Sequence, residues 1–177
     1  MQVPGEPLQI DAVSLPSNGS VGMCCCPGRL EFSSVGVGMR DLDRDIERIM
    51  HWQPLTVISL IEQPEFSTLG VADLPQRFEA APFDWYHCPI GDLGAPGTRF
   101  EDQFAPIESE LLAQLSRGEK VLLHCAAGLG RAGTIAGRLL IGGGKLAEDA
   151  IGEIRRARQG TIESESQEKY LRSLTPH

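Results

Sequence analysis

The stretch best equipped for chemistry reads His124-Cys125-Ala126-Ala127-Gly128-Leu129-Gly130-Arg131. Val121-Leu122-Leu123 leads into it, and a run with helical spacing, Ala132 to Ile141, follows. A cysteine and an arginine at this spacing say little alone, because the chain holds five cysteines and 13 arginines. The context discriminates. A cysteine ends an apolar strand, Gly128 and Gly130 make a small-residue turn, and a helix starts at the arginine. Such a turn directs successive backbone N–H groups inward as an anion cradle. The helix N-terminus adds the positive end of its dipole. Arg131 can grip two oxygens of a tetrahedral dianion through its planar fork. The same positive field favours a sulfur anion at Cys125. Nucleophile and phosphate are then held together, and phosphoryl transfer to sulfur becomes possible.

A sulfur nucleophile needs an acid for the departing oxygen, since an alkoxide or phenoxide leaves poorly without a proton. Asp92 is the candidate. It follows the strand pattern Trp85 to Ile90 and sits in a Gly-Asp-Leu-Gly loop able to close over substrate and exclude water. Asp84 precedes that strand and so belongs to the opposite end of a sheet. His124 is expected to hydrogen-bond backbone around the loop and hold its shape, with no proton-transfer role.

The elements that must position these residues alternate. Strand patterns fall at Leu8 to Val13, Val21 to Cys26, Thr56 to Ile61, Trp85 to Ile90 and Val121 to His124. Helical patterns fall at Arg40 to Trp52, Val71 to Ala81, Phe100 to Ser116, Ala132 to Ile141, Leu146 to Arg158 and Glu165 to Leu174. Ser17-Asn18-Gly19 reads as a turn and Gly91 to Gly97 as a loop. Strands alternating with helices predict an α/β fold: one three-layer domain over 1–177 with a mostly parallel central sheet flanked by helices.

Bulk properties narrow the class. With 177 residues, 41% hydrophobic and 23% charged, one domain with a real core is expected. A net charge of -8 without a basic patch argues against nucleic acid as partner. No apolar run approaches a membrane span. MQVPGEPLQIDAV has neither a basic stretch nor an apolar core, so no secretory signal is expected and a cytoplasmic setting with reduced thiols follows. The cysteines lack separated Cys-x-x-Cys units, so no metal site is expected. Cys24-Cys25-Cys26 reads as part of a strand, and Cys88 as an inert strand cysteine.

These residues resemble a known family. His124-Cys125 to Arg131 matches the HC-x5-R signature of cysteine-dependent protein phosphatases, and its place late in the chain resembles the dual-specificity branch. Gly128-Leu129-Gly130-Arg131, His87 to Asp92, Gly22 to Gly28 and Gly160 to Gln167 with Tyr170 are most similar to the kinase-associated phosphatase subgroup and its bacterial relatives. The resemblance covers about Leu8 to Leu174. It implies a protein-tyrosine-phosphatase-like fold and a phosphoprotein or phosphopeptide substrate, with no metal or cofactor. Cys125 would be the nucleophile, Arg131 the phosphoryl-binding side chain and Asp92 the acid, then the base. The amides of Ala126, Ala127, Gly128, Leu129, Gly130 and Arg131 would bind phosphate, with His124, Glu163 and Gln167 in support.

Two departures matter. The family usually carries serine or threonine directly after the arginine, where its hydroxyl stabilises the departing thiolate; here stands Ala132. A late Gln-Thr-x-x-Gln pattern that positions water in many relatives here reads Glu163-Ser164-Glu165-Ser166-Gln167. Both touch the second chemical step and predict slow breakdown of a phosphocysteine. Two alternatives stay open: a phosphate-binding module that has lost catalysis, and a phosphatase for small phosphorylated metabolites or lipids.

Overall fold

Continuous apolar runs bounded by proline and glycine make the central strands. The computed structural model describes residues 6–33 and 36–176, so the first five residues of the N-terminal stretch MQVPGEPLQIDAV lie outside the described residues. The five-stranded sheet contains β1 (Asp11–Ser14), β2 (Ser20–Cys24), β5 (Thr56–Ser59), β6 (Asp84–His87) and β7 (Lys120–His124). Their order is β1-β2-β7-β5-β6; β1 alone is antiparallel to its neighbour. The architecture is α/β with a mixed, mostly parallel sheet flanked by helices. In register, His124 stands beside Cys24 on one side and Ser59 on the other. Three strands therefore end at one level, which makes the crevice at their carboxyl ends the natural site.

The helices are α1 (Leu42–Trp52), α2 (Gln63–Thr68), α3 (Leu74–Glu79), α4 (Thr98–Ser116), α5 (Gly130–Gly142), α6 (Ala147–Ala157) and α7 (Glu165–Arg172). Helix α5 is buried from Gly130 to Ile141 and lies on β2 and β7, with α4, α6 and α7 packed against it. Its small residues let these neighbours approach closely. Among the described residues no helix is long and apolar enough to cross a membrane.

Several boundaries differ from the sequence pattern. Strand β1 begins at Asp11 rather than Leu8, and Leu8 is buried as a core side chain before it. Strand β2 stops at Cys24, although Cys26 N still donates to Ala126 O (3.1 Å). Strand β6 stops at His87, and the amides of Cys88 and Ile90 continue irregularly onto Ser59 O and Leu60 O around Pro89, which has no N–H to give. The helix expected over Val71 to Ala81 shrinks to α3. Helix α2 and the separate antiparallel hairpin of β3 (Leu30–Ser33) and β4 (Gly36–Met39) carried no pattern that announced them.

Candidate active site

The loop from Cys125 to Arg131 is defined by where its carbonyls go. Ala126 O accepts from Cys26 N (3.1 Å) and Arg29 Nη1 (2.6 Å). Arg158 donates from Nη2 to Ala127 O (3.1 Å) and from Nε to Gly128 O (2.8 Å), while its Nη1 pairs with Asp11 at 2.7 Å. Leu129 O accepts from Gly133 N and Ile162 N, and Gly130 O from Thr134 Oγ1 (2.7 Å). In a trans peptide the C=O and the following N–H point opposite ways, and the described chain holds no cis bond. Five carbonyls drawn outward thus turn the amides of Ala127, Gly128, Leu129, Gly130 and Arg131 inward. Gly128 N lies 3.2 Å from Cys125 Sγ and marks their point of convergence. Among the described residues, the other four amides meet no protein acceptor. They form a ring of donors at the N-terminus of α5.

Gly128 has φ +74°, and a Cβ there would overlap the Cys24 carbonyl. Only glycine lets the loop turn so close to the end of β2. The triple cysteine is this backing. Cys24, Cys25 and Cys26 are buried free thiols, and burial pushes each of their pKa values up, away from the thiolate. Burial likewise raises Cys88 to about 12.

Arg131 is 1% exposed. Its Nη1 and Nη2 pair with the two carboxylate oxygens of Glu65 at 2.6 and 2.9 Å, and Nη1 also donates to Ile90 O (3.1 Å). Buried Nε meets no acceptor among the described residues. Burial works to raise the Glu65 pKa, but hydrogen bonds from Arg131 and from Glu62 N outweigh it and hold the carboxyl below its ordinary range. Burial works to lower Arg131, and the Glu65 carboxylate more than reverses it. His124 is fully buried, and burial holds its pKa down to about 4, so the ring is neutral.

Asp92 lies on the outer side, its side chain 71% exposed, with Oδ1 3.3 Å from Arg131 Nη2. The same oxygen accepts from Leu93 N, and Leu93 takes φ +56° in this tight turn. Gln167 ties the Asp92 loop down: its Nε2 donates to Gly94 O (3.1 Å), while its Oε1 accepts from Glu163 N (2.9 Å) and Ser164 N (3.2 Å). A Cβ on Gly130 would fall 2.5 Å from Glu163 Oε2 and 3.0 Å from Gln167 Nε2, so both side chains reach the cradle. The structure thus brings Cys125, Arg131, Asp92, His124, Glu163 and Gln167 to one place, around the amides of the loop.

Comparison with known proteins meets this geometry. The family profile described as a polymorphic toxin system DSP-PTPase phosphatase matches residues 54–145. Mouse cyclin-dependent kinase inhibitor 3 is 30% identical over 155 residues, covering 85% of this chain and 69% of that protein. The chain belongs to the dual-specificity phosphatases. Human protein tyrosine phosphatase type IVA 3 is 39% identical over 95 residues, covering 52% of this chain and 51% of its own. Kinase associated phosphatase, solved with serine replacing its catalytic-site cysteine, superposes with a TM-score of 0.80 at 27% identity, covering 94% of this chain and 93% of the other.

In this dual-specificity phosphatase the residue after Arg131 is buried Ala132, which brings no hydroxyl. Thr134 does not replace it, because its hydroxyl donates to Gly130 O behind the loop. Glu65 is the site residue that sequence reasoning missed. In the structure it stands in the first turn of α2, in a capping box with Glu62. Its partner Arg131 lies 66 residues away, a separation that no local pattern reveals.

Proposed function

We propose that this phosphatase hydrolyses phosphotyrosine, and with it phosphoserine and phosphothreonine, of proteins through a phosphocysteine at Cys125. The observation that carries the reading is Cys125 Sγ at the focus of the inward amides, 3.2 Å from Gly128 N. Sulfur attacks phosphorus while Arg131 and the amides of Ala126 to Arg131 take the equatorial oxygens. Asp92, beside Arg131 on the open side, protonates the departing oxygen. It then takes the proton of the water that cleaves the phosphorus–sulfur bond, with Glu163 and Gln167 beside the cradle in support. Ala126 and Ala127 bring no cation for a second phosphate, which favours a protein monoester over a polyphosphorylated metabolite or lipid. A reducing cytoplasmic setting belongs to the same reading, since Cys125 must stay a free thiol.

The missing hydroxyl at Ala132 makes intermediate breakdown the slow step. One lost hydrogen bond to a charged group is worth about 1.5–3 kcal/mol, or roughly tenfold to a hundredfold in rate. Rapid mixing with p-nitrophenyl phosphate should give a burst followed by slow turnover, and Ala132→Ser should speed the slow phase by at least about tenfold. Full turnover in Cys125→Ser would overturn the reading.

A further inference from the structure

Beneath the cradle runs a line of hydrogen bonds, part-buried at Trp85 and buried at Ser59 and His124, that the proposed chemistry does not use. Trp85 Nε1, on edge strand β6, donates to Ser59 Oγ at 2.9 Å. Ser59 Oγ lies 2.5 Å from His124 Nε2. His124 Nδ1 lies 3.4 Å from Cys125 O. The proton positions along this line follow from the capacities of its members. Indole N–H can only donate, so Ser59 receives at that end. Among the described residues the Ser59 hydroxyl meets only Trp85 Nε1 and His124 Nε2, and Ser59 is fully buried. Its own proton therefore goes to His124 Nε2, because a buried donor left unsatisfied is costly. A neutral imidazole that accepts at Nε2 carries its hydrogen on Nδ1. That hydrogen faces Cys125 O.

The consequence reaches the cradle. The other five carbonyls of the loop are held outward by Cys26, Arg29, Arg158, Gly133, Ile162 and Thr134. The Cys125 carbonyl has His124 instead. Drawn toward the ring, it turns the Ala126 N–H inward and completes the circle at its first position. We infer that Trp85 and Ser59 are positioning residues: they fix His124 as the Nδ1–H tautomer and through it aim the first amide of the anion cradle. The direction is set by Trp85, since a side chain able to accept there would let the whole line reverse.

Nitrogen-15 NMR of histidine-labelled protein reads the tautomer directly. His124 is expected as Nδ1–H in the wild-type chain at neutral pH. Ser59→Ala removes the donor to Nε2, and the ring should shift toward the Nε2–H form or a mixture. Trp85→Phe keeps most of the ring packing and frees the Ser59 proton, so it should give a smaller shift. The burst rate with p-nitrophenyl phosphate should fall about tenfold in Ser59→Ala and about threefold in Trp85→Phe. Lost packing alone would lower the melting temperature without moving the tautomer. An Nε2–H ring in the wild-type protein overturns the inference. So does a Trp85→Phe protein with wild-type tautomer and burst rate, a variant that stands even if Ser59→Ala does not fold. The kinetic arm rests on Cys125 as nucleophile and the tautomer arm does not. A wild-type protein without any burst would remove the phosphocysteine reading while the NMR still decided this one.

Discussion

Helix α5 buries two arginines two turns apart, and they differ in what is left over. Arg138 donates from Nε and Nη2 to Glu108 (both 2.7 Å) and from Nη1 to Glu101 (2.6 Å) and Tyr170 (2.5 Å), and its guanidinium lies 4.9 Å from the Phe104 ring centre. Every nitrogen is engaged and one face is stacked. Arg131 also holds a bidentate glutamate, yet its buried Nε has no partner among the described residues and its neighbour amides point into the same space. A fully engaged guanidinium ties α4, α5 and α7 together. One that keeps a donor in reserve, beside a nucleophile, is equipped to receive an anion. The ion pairs look alike, and the unspent hydrogen separates their roles.

The comparison can be broken by substitution. Arg131→Lys keeps the charge beside Glu65 and loses the fork, so turnover should drop about 10³-fold, with a smaller fall in the urea midpoint than in Arg138→Ala. Arg138→Ala should do the reverse, costing about 3 kcal/mol of folding stability by leaving Glu108 and Glu101 without their partner, with kcat of the folded fraction close to wild type. Equal losses of activity in the two variants would erase the distinction. Acid sharpens it, because the ring beneath Arg131 must stay neutral. Burial holds His124 at about 4 in the folded chain against 6.5 for an ordinary imidazole. Between those values the unfolded chain binds a proton that the folded chain refuses. The contribution is complete above pH ~6.5 and is lost as pH falls toward ~4, up to about 3 kcal/mol in all. Urea midpoints measured across that range should decline on the acid side, and a flat profile would contradict a neutral buried His124.

How much of this the sequence carried depends on the range of the interaction. Thr56 to Ile61 and Val121 to His124 were legible because strands buried on both faces read as unbroken apolar runs. Cys125, the glycines and Arg131 lie within one turn, where local rules of strand, loop and helix dipole apply. Asp92 was legible through its place after a strand. Glu65 was not, since a carboxylate in a proline-containing stretch looks like any surface glutamate until the fold carries Arg131 to it. Ser59 and Trp85 were hidden in the same way: each fits a strand pattern, and only the β5–β6–β7 pairing aligns them with His124. The β3–β4 hairpin escaped because Gly36 and Gly38 break the alternation that marks a strand. Gln167, a candidate for water placement, also closes the capping box of α7 and holds Gly94, contacts invisible in a pattern of spacing.

Arg158 carries one more consequence. It pins two carbonyls of the phosphate loop from 30 and 31 residues downstream, and its counter-charge, Asp11, lies 147 residues upstream. A growing chain on the ribosome thus holds Cys125 and Arg131 long before the clamp that shapes the loop between them has been made. The loop's shape thus depends on residues far from the signature on both sides, and a fragment carrying Cys125 to Arg131 without Arg158 and Asp11 is expected to lack it.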